Sequence, residues 1–429
     1  MTTQPQPPAA RSRRLPGRAS HGVLFLVLCG LASAGALAWI FRIEDQLIDL
    51  QVYRFGVEAW WSGGDLYGAL PNTTVGVALP YLYPPSSLLA LAPLTAVPWE
   101  LSVALATGMS VLAVAVSIAV VVSRVWPQAG RMGAFGLALG LLPFALMLEP
   151  VAETIKFGQV NLWLVALVVV DCLVRTPKWP RGLLVGIAIA IKLTPAVFVL
   201  YFLLRRDFRA AIVSCLSAAV CTALAFAFAW QESIDFWFTG AGPTDSMAGS
   251  AIVTNQTIAG ALARFGIETP YDKMVWLGAA MLVGLIFLWV VPRVDAETGL
   301  AVTAMSALVL SPISWSHHYV WIVPGLVVVA ARVLRTSWDP VKLMAAGVGV
   351  AIFYIAPHFI ARGEEYDGTK WTWWQNVYGN SYLLLGLTAL LWIAWAHRPS
   401  AALNRELADL DDPRQQPAED QAPKDREMA

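Results

Sequence analysis

The feature that most restricts this chain is a succession of apolar runs, each comparable in length to a bilayer-spanning helix. They fall at 21–41, 84–123, 132–148, 159–174, 180–204, 209–230, 273–292, 297–313, 318–334, 340–360 and 380–397. A helix needs about 20 apolar residues to cross the hydrocarbon core, and a soluble domain has no use for so many. Of the 429 residues, 57% are hydrophobic and only 14% charged, well under the roughly one quarter charged of soluble domains. The expected class is an all-α polytopic membrane protein. A formal net charge of zero gives no sign of nucleic-acid binding. Cys29, Cys172, Cys215 and Cys221 all lie within apolar runs, so they read as small buried side chains rather than a disulfide or metal framework.

Residues 1–20 are rich in proline and arginine, and the run behind them is longer than a signal-peptide core and lacks a convincing cleavage site. It is expected to stay as a first helix. The segment 399–429 is polar, mixed in charge and rich in proline, and is expected to be a disordered cytoplasmic tail. That leaves 21–398 as one membrane domain. Basic residues in short loops mark the cytoplasmic side. Arg11, Arg13, Arg14 and Arg18 put the N-terminus inside, and Arg205, Arg206, Arg209, Arg332, Arg335 and Lys342 mark inner loops. Two runs have breaks: 84–123 at Pro93, Pro98 and Glu100, and 180–204 at Lys192 and Pro195. One crossing for the first and two for the second keeps Arg124, Arg131, Arg175, Lys178 and Arg181 inside. The count is then about twelve passes. Three sizeable outer segments remain, roughly 42–83, 231–272 and 361–379, and long connections are often functional.

Polar groups among membrane helices are functional candidates because they are costly there. Lys192, in 187-IAIAIKLTPAVFVLY-201, would cost about 2.5–3.5 kcal/mol at a bilayer centre. It reads either as a phosphate-binding ammonium at a helix break or as a lysine snorkelling to the interface. Gln159 and Asn161, in 149-EPVAETIKFGQVNLWL-164, start an apolar helix; interhelical hydrogen bonding is the alternative to a binding role. Asn255 and Gln256 form a second amide pair, and Asn255-Gln256-Thr257 also fits a glycosylation sequon. The first outer loop carries Glu44, Asp45 and Asp49, with Tyr53 and Arg54 following. Asp49 has apolar neighbours, which suits either a general base of raised basicity or an ordinary loop acid. Of five histidines, two are adjacent: His317 and His318, in 311-SPISWSHHYVWIVP-324. On a helix they point about 100° apart, so one can face a cavity while the other packs. The alternative is a helix-start cap. The 371-WTWW-374 cluster reads as sugar-stacking indoles or as an interfacial aromatic belt. H-E-x-x-H, P-loop and G-x-S-x-G patterns are absent from the sequence.

Seven fragments, 48-IDLQVY-53, 83-YPP-85, 149-EPV-151, 158-GQVN-161, 191-IKLTPA-196, 255-NQ-256 and 311-SPISWSHHYVWIVP-324, together resemble the GT-C membrane glycosyltransferases of glycosyltransferase family 87. The likeness is greatest to its actinobacterial polyprenol-phosphate-mannose-dependent α-(1→2)-mannosyltransferases, which make phosphatidylinositol mannosides and lipomannan. The resemblance implies a GT-C fold of about twelve transmembrane helices with its active site at the outer face of the plasma membrane. Asp49 corresponds to the family's catalytic base. His317 or His318 would line the active site and Lys192 would lie near the donor phosphate. Gln159, Asn161, Asn255, Gln256, Tyr53 and Tyr83 are the further substrate-binding candidates, with Tyr83-Pro84-Pro85 shaping a cleft for a polyprenyl tail. Thr257 stands where members often have serine, and Ala259 where a bulkier basic residue is common.

The implied partners are a polyprenyl-phosphate-sugar donor and a glycolipid acceptor in the membrane. A β-linked lipid-phosphate mannose giving an α product requires one inversion, hence one base and no enzyme nucleophile. The leaving group is already a phosphate. With no D-x-D cluster in the outer segments, neither an obligatory metal nor another cofactor is expected. Within the class the rival is an arabinofuranosyltransferase using a polyprenyl-phosphate arabinose donor. Outside it, a transporter or flippase would be built on paired inverted repeats, and no such self-similarity is visible. A purely structural scaffold would not need Asp49, Lys192 and the histidine pair.

Overall fold

The computed structural model describes residues 18–42, 47–240, 249–335, 339–361 and 368–398. Glu44, Asp45, residues 1–17 and the tail 399–429 lie outside the described residues, and the first helix already begins at Arg18. Among those residues the regular structure is helical, with only two isolated backbone bridges, Asn72–Ala78 and Asn255–Trp315. Six helices are long and apolar enough to cross a membrane: His21–Arg42, Trp99–Val125, Pro127–Leu146, Phe208–Phe228, Tyr271–Val290 and Ser316–Arg335. Two bent pairs raise the number to eight if each is one span. Four shorter apolar helices, Pro85–Thr95, Thr194–Leu204, Ala296–Leu310 and Pro340–Ile355, complete the apolar set. This is an all-α polytopic membrane architecture.

The two broken runs resolve differently. In 84–123 the short helix Pro85–Thr95 ends before Trp99–Val125, whose N-cap is Pro98. Proline's fixed φ and missing N–H suit a helix start and not its interior. In 180–204 the chain forms a hairpin. Leu183–Ile191 ends at Lys192, which is extended (φ −152°, ψ 133°), and a 3₁₀ turn over Thr194–Ala196 leads into Val197–Leu204. The outgoing leg lies along the start of Phe208–Phe228. A Cβ on Gly182 would sit 2.1 Å from the Ala210 carbonyl oxygen, and one on Gly186 would sit 2.4 Å from Ser217 Cβ. The return leg ends at Leu204, and Arg181 and Asp207 meet at 4.0 Å. Both feet therefore stand at one end of the bundle. A leg of 9 residues reaches only about 13 Å, under half of a core about 30 Å thick. The two crossings expected over 180–204 are replaced by a hairpin of short legs whose feet stand at the same end of the bundle.

The hairpin's feet belong to a polar, basic end of the bundle. Asp171, fully buried, accepts from Trp179 and from the backbone N–H of Gly182 and Val185, and Arg181 donates to the carbonyls of Asp171, Cys172 and Val174. Arg205 donates to the carbonyls of Val291 and Val294, Arg124 pairs with Glu297, and Arg332 pairs with Asp295. From this end, Leu183–Ile191 rises to Lys192 and the helix Asn161–Leu173 rises, against its chain direction, to Asn161. The tips of those two helices frame the site.

Candidate active site

A second break completes the frame. Glu149–Phe157 and Asn161–Leu173 are bent by 120° across Gly158–Val160. The sequence suggests an apolar helix started by Gln159 and Asn161; the structure puts Gln159 in the bend, has Asn161 head that helix, and adds the helix Glu149–Phe157 before it. Gly158 turns the chain in the left-handed region at φ 71°, where a side chain is strained. A Cβ on it would lie 2.6 Å from Leu50 Cβ. Glycine is thus required both for the turn and for the approach of the helix Ile48–Trp61. That helix is anchored by the Leu47 N–H donating to the Lys156 carbonyl at 2.9 Å, which brings Asp49, in its first turn, against the bend.

Six of the sequence-derived candidates come together here. The Tyr53 and Tyr83 hydroxyls lie 2.9 Å apart, and both donate to Gln159 Oε1, at 3.0 and 3.2 Å. Gln159 in turn hydrogen-bonds the Asp49 carboxylate. Lys192 Nζ donates to Asn161 Oδ1 at 3.0 Å and stands 5.3 Å above the Tyr83 ring. Ser86 Oγ donates to the Ala190 carbonyl at 2.6 Å, which docks the Tyr83-Pro84-Pro85 turn on the hairpin tip. Asp49 and Lys192 feel each other's charge without closing into an ion pair. Burial pushes the Asp49 carboxyl up to about 7, with the Lys192 charge and the Gln159 hydrogen bond pulling it back. Desolvation wins, and the carboxylate keeps the basicity a general base needs.

The histidine pair lies beside this group, in the 3₁₀ segment Ser316–Trp321. The two rings are 4.7 Å apart and perpendicular, His317 packs edge-on to Phe157 at 5.2 Å, and the Lys192 charge reaches both. Thr154 donates to the His317 carbonyl at 2.9 Å. Two buried polar atoms have no hydrogen-bond partner: Asn161 Nδ2 and His317 Nε2. Leaving such an atom unpaired costs about 1–3 kcal/mol, and both have hydrogen-bonding capacity that the described residues do not use.

Asn255 and Gln256 do not join the cluster. Both are fully buried. The Asn255 side chain accepts from the Ser314 N–H and Thr257 Oγ1 and donates to the Ser250 carbonyl. The Gln256 amide donates to the carbonyls of Val253 and Gly379 and accepts from the Tyr382 N–H. Their backbones accept from Arg264 and from the Tyr319 hydroxyl. They brace the histidine turn, and the Asn255 sequon is not accessible. In the tryptophan cluster, Trp373 and Trp374 project outward, as an interfacial belt does, while Arg264 stacks over Trp371 at 5.3 Å. Arg264 went unnoticed in the sequence, being one basic residue in a loop, yet it is 2% exposed and donates to the Ile252 and Asn255 carbonyls and Asn380 Oδ1. Glu149 and His358 were missed too. Glu149 accepts from Ser316 and Tyr382, and His358 Nε2 lies 3.6 Å from it.

Residues 81–314 match glycosyltransferase family 87. A polyprenol-phosphate-mannose-dependent alpha-(1-2)-phosphatidylinositol mannoside mannosyltransferase of Mycobacterium tuberculosis (strain ATCC 25618 / H37Rv) is 35% identical over 401 residues, covering 89% of this chain and 93% of that protein. The chain belongs to glycosyltransferase family 87. A protein of the same name from Mycolicibacterium smegmatis (strain ATCC 700084 / mc(2)155) is 38% identical over 381 residues, 82% of this chain and 85% of that one. A polyprenol-phosphate-mannose-dependent alpha-(1-2)-phosphatidylinositol pentamannoside mannosyltransferase of the same organism is 31% identical over 422 residues, 93% and 96% of the two chains. No solved structure matches the chain significantly. The match to the family stops short of both Asp49 and the histidine pair, yet the fold gathers those residues around Gln159, Asn161 and Lys192, which lie inside it. This glycosyltransferase thus carries a carboxylate of raised basicity and an ammonium in one polar cluster.

Proposed function

We propose that this glycosyltransferase transfers mannose from a polyprenyl-phosphate-mannose donor to a phosphatidylinositol mannoside or lipomannan-type acceptor, forming an α-(1→2) linkage with inversion. The observation that carries the reading is the carboxylate–ammonium arrangement: Asp49 and Lys192 share one site, bridged by Gln159, Tyr83 and Asn161, without pairing. An in-line displacement at a sugar carbon needs a base on one side and charge stabilisation of the leaving group on the other. Asp49 removes the proton of the acceptor hydroxyl as that oxygen bonds to the mannose C1. The bond from C1 to the phosphate oxygen breaks, and the electron pair leaves with the polyprenyl phosphate. Lys192, the unpartnered Asn161 Nδ2 and a histidine ring receive the phosphate charge. Tyr53 and Tyr83 act through Gln159, holding its amide towards Asp49, and Asn255 and Gln256 act by fixing the turn that carries the histidines.

Residues 21–398 form one GT-C domain in this reading, with the described chain making ten through passes and the hairpin Leu183–Leu204. The site lies at the far tips of helices rooted in the basic end, and the positive-inside rule then directs it to the outer face of the plasma membrane. The mannose preference is supported by the named donors of the mycobacterial relatives. The test is to offer purified protein polyprenyl-phosphate-mannose or polyprenyl-phosphate-arabinose with a phosphatidylinositol mannoside, then digest the product with an α-(1→2)-specific mannosidase. Mannose transfer to a digestible product is expected; arabinose transfer alone would move the reading to the rival donor.

A further inference from the structure

Glu149 opens the helix Glu149–Phe157, where a carboxylate ordinarily serves its own helix N-terminus. It makes no such cap; instead it is buried and gives its oxygens to two distant segments. Oε1 accepts from Ser316 Oγ at 2.6 Å and Oε2 from the Tyr382 hydroxyl at 2.7 Å. His358, wholly buried and packed against the Tyr382 ring at 5.0 Å, stands 3.6 Å from Oε1. Among the described residues no lysine or arginine pairs with Glu149. A buried carboxylate without a strong counter-ion is expensive, and two hydroxyl donors make it tolerable.

One of those donors, Ser316, is the residue next to His317. The same helix reaches that turn again through Thr154 and the His317 carbonyl, and its end fixes Leu47, two residues before Asp49. We infer that Glu149 is a positioning residue. Gripping Ser316, and backed by Tyr382 and His358, it makes the helix Glu149–Phe157 the spacer that sets the histidine turn against Asp49 and Lys192. The inference rests on the proposed role of the histidines in transfer.

The test is a double-mutant cycle in the purified enzyme. Ser316→Ala removes one hydroxyl and little volume. It is expected to lower kcat about tenfold or more while leaving the donor KM within about twofold, as misplacement of reacting groups does. In a His317→Ala background the same change is expected to cost nothing further, because the turn then has no ring to position. Unchanged kcat in Ser316→Ala, or losses that multiply in the double variant, would overturn the positioning role. Full activity of both His317→Ala and His318→Ala would instead overturn the histidine reading and this inference with it. Where His317→Ala leaves too little rate for a cycle, Tyr382→Phe decides. It loosens only the far arm, so a partial loss of kcat at constant donor KM supports the assignment and unchanged kcat rejects it.

Discussion

In the proposed mechanism Asp49 is the residue on which the chemistry turns, and its setting is chemically legible. Burial raises its carboxyl to about 7 against the opposing pull of Lys192. Because the base must be ionised in the free enzyme, kcat/KM is expected to rise with pH through this value. Lys192→Met removes the charge that lowers the Asp49 value, so the limb in that variant is expected at higher pH, with a raised donor KM. A pH–rate profile of the two proteins checks this, and a limb that stays in place would separate Lys192 from the base. At this scale the sequence was informative where a residue's chemistry clashed with its surroundings. Asp49, Lys192 and Gln159 stand out from apolar neighbours. Glu149 and His358 do not, because their partners lie far along the chain, and Asn255 and Gln256 resembled ligands while serving as braces.

At the scale of elements, two interruptions build the site: the bend at Gly158 and the hairpin tip at Lys192. The second was visible as a break in the run 180–204 and the first only as the gap between the runs 132–148 and 159–174; the geometry of neither was. A run of apolar residues reads the same whether it crosses or turns back, and only the packing of Gly182 and Gly186 on Ala210 and Ser217 makes 183–204 a hairpin. The bend makes a sharp prediction. Gly158→Ala puts a Cβ 2.6 Å from Leu50 Cβ and holds alanine at φ 71°. A strained backbone of this kind costs about 1–3 kcal/mol, and the steric overlap adds to it. The variant is expected to unfold at lower temperature in detergent. It should also lose activity beyond its folded fraction, because Asp49 and Gln159 lie on either side of the displaced contact. An unchanged melting temperature would mean that the helix Ile48–Trp61 does not depend on the bend.

Over the whole molecule, the proposed sidedness rests on the arginines, and the class was written in the apolar runs. The pass count was not, since the hairpin's legs are each about half a membrane. Basic clusters at Arg124, Arg181, Arg205 and Arg332 gather at one end, away from the tips of the helices bearing Asn161 and Lys192. Ser62 and Arg209 are exposed on opposite sides in the proposed topology. In a cysteine-free background, Ser62→Cys is expected to react with a membrane-impermeant maleimide in intact cells, and Arg209→Cys only after permeabilisation. The reverse pattern would turn the site to the cytoplasm.

The most direct measurement of the central claim is transfer by purified wild type and by folded Asp49→Asn, using radiolabelled polyprenyl-phosphate-mannose and a phosphatidylinositol mannoside. Wild type is expected to form an α-linked product and Asp49→Asn to form almost none while still binding the donor. Transfer by Asp49→Asn at the wild-type rate would contradict the assignment of Asp49 as the base.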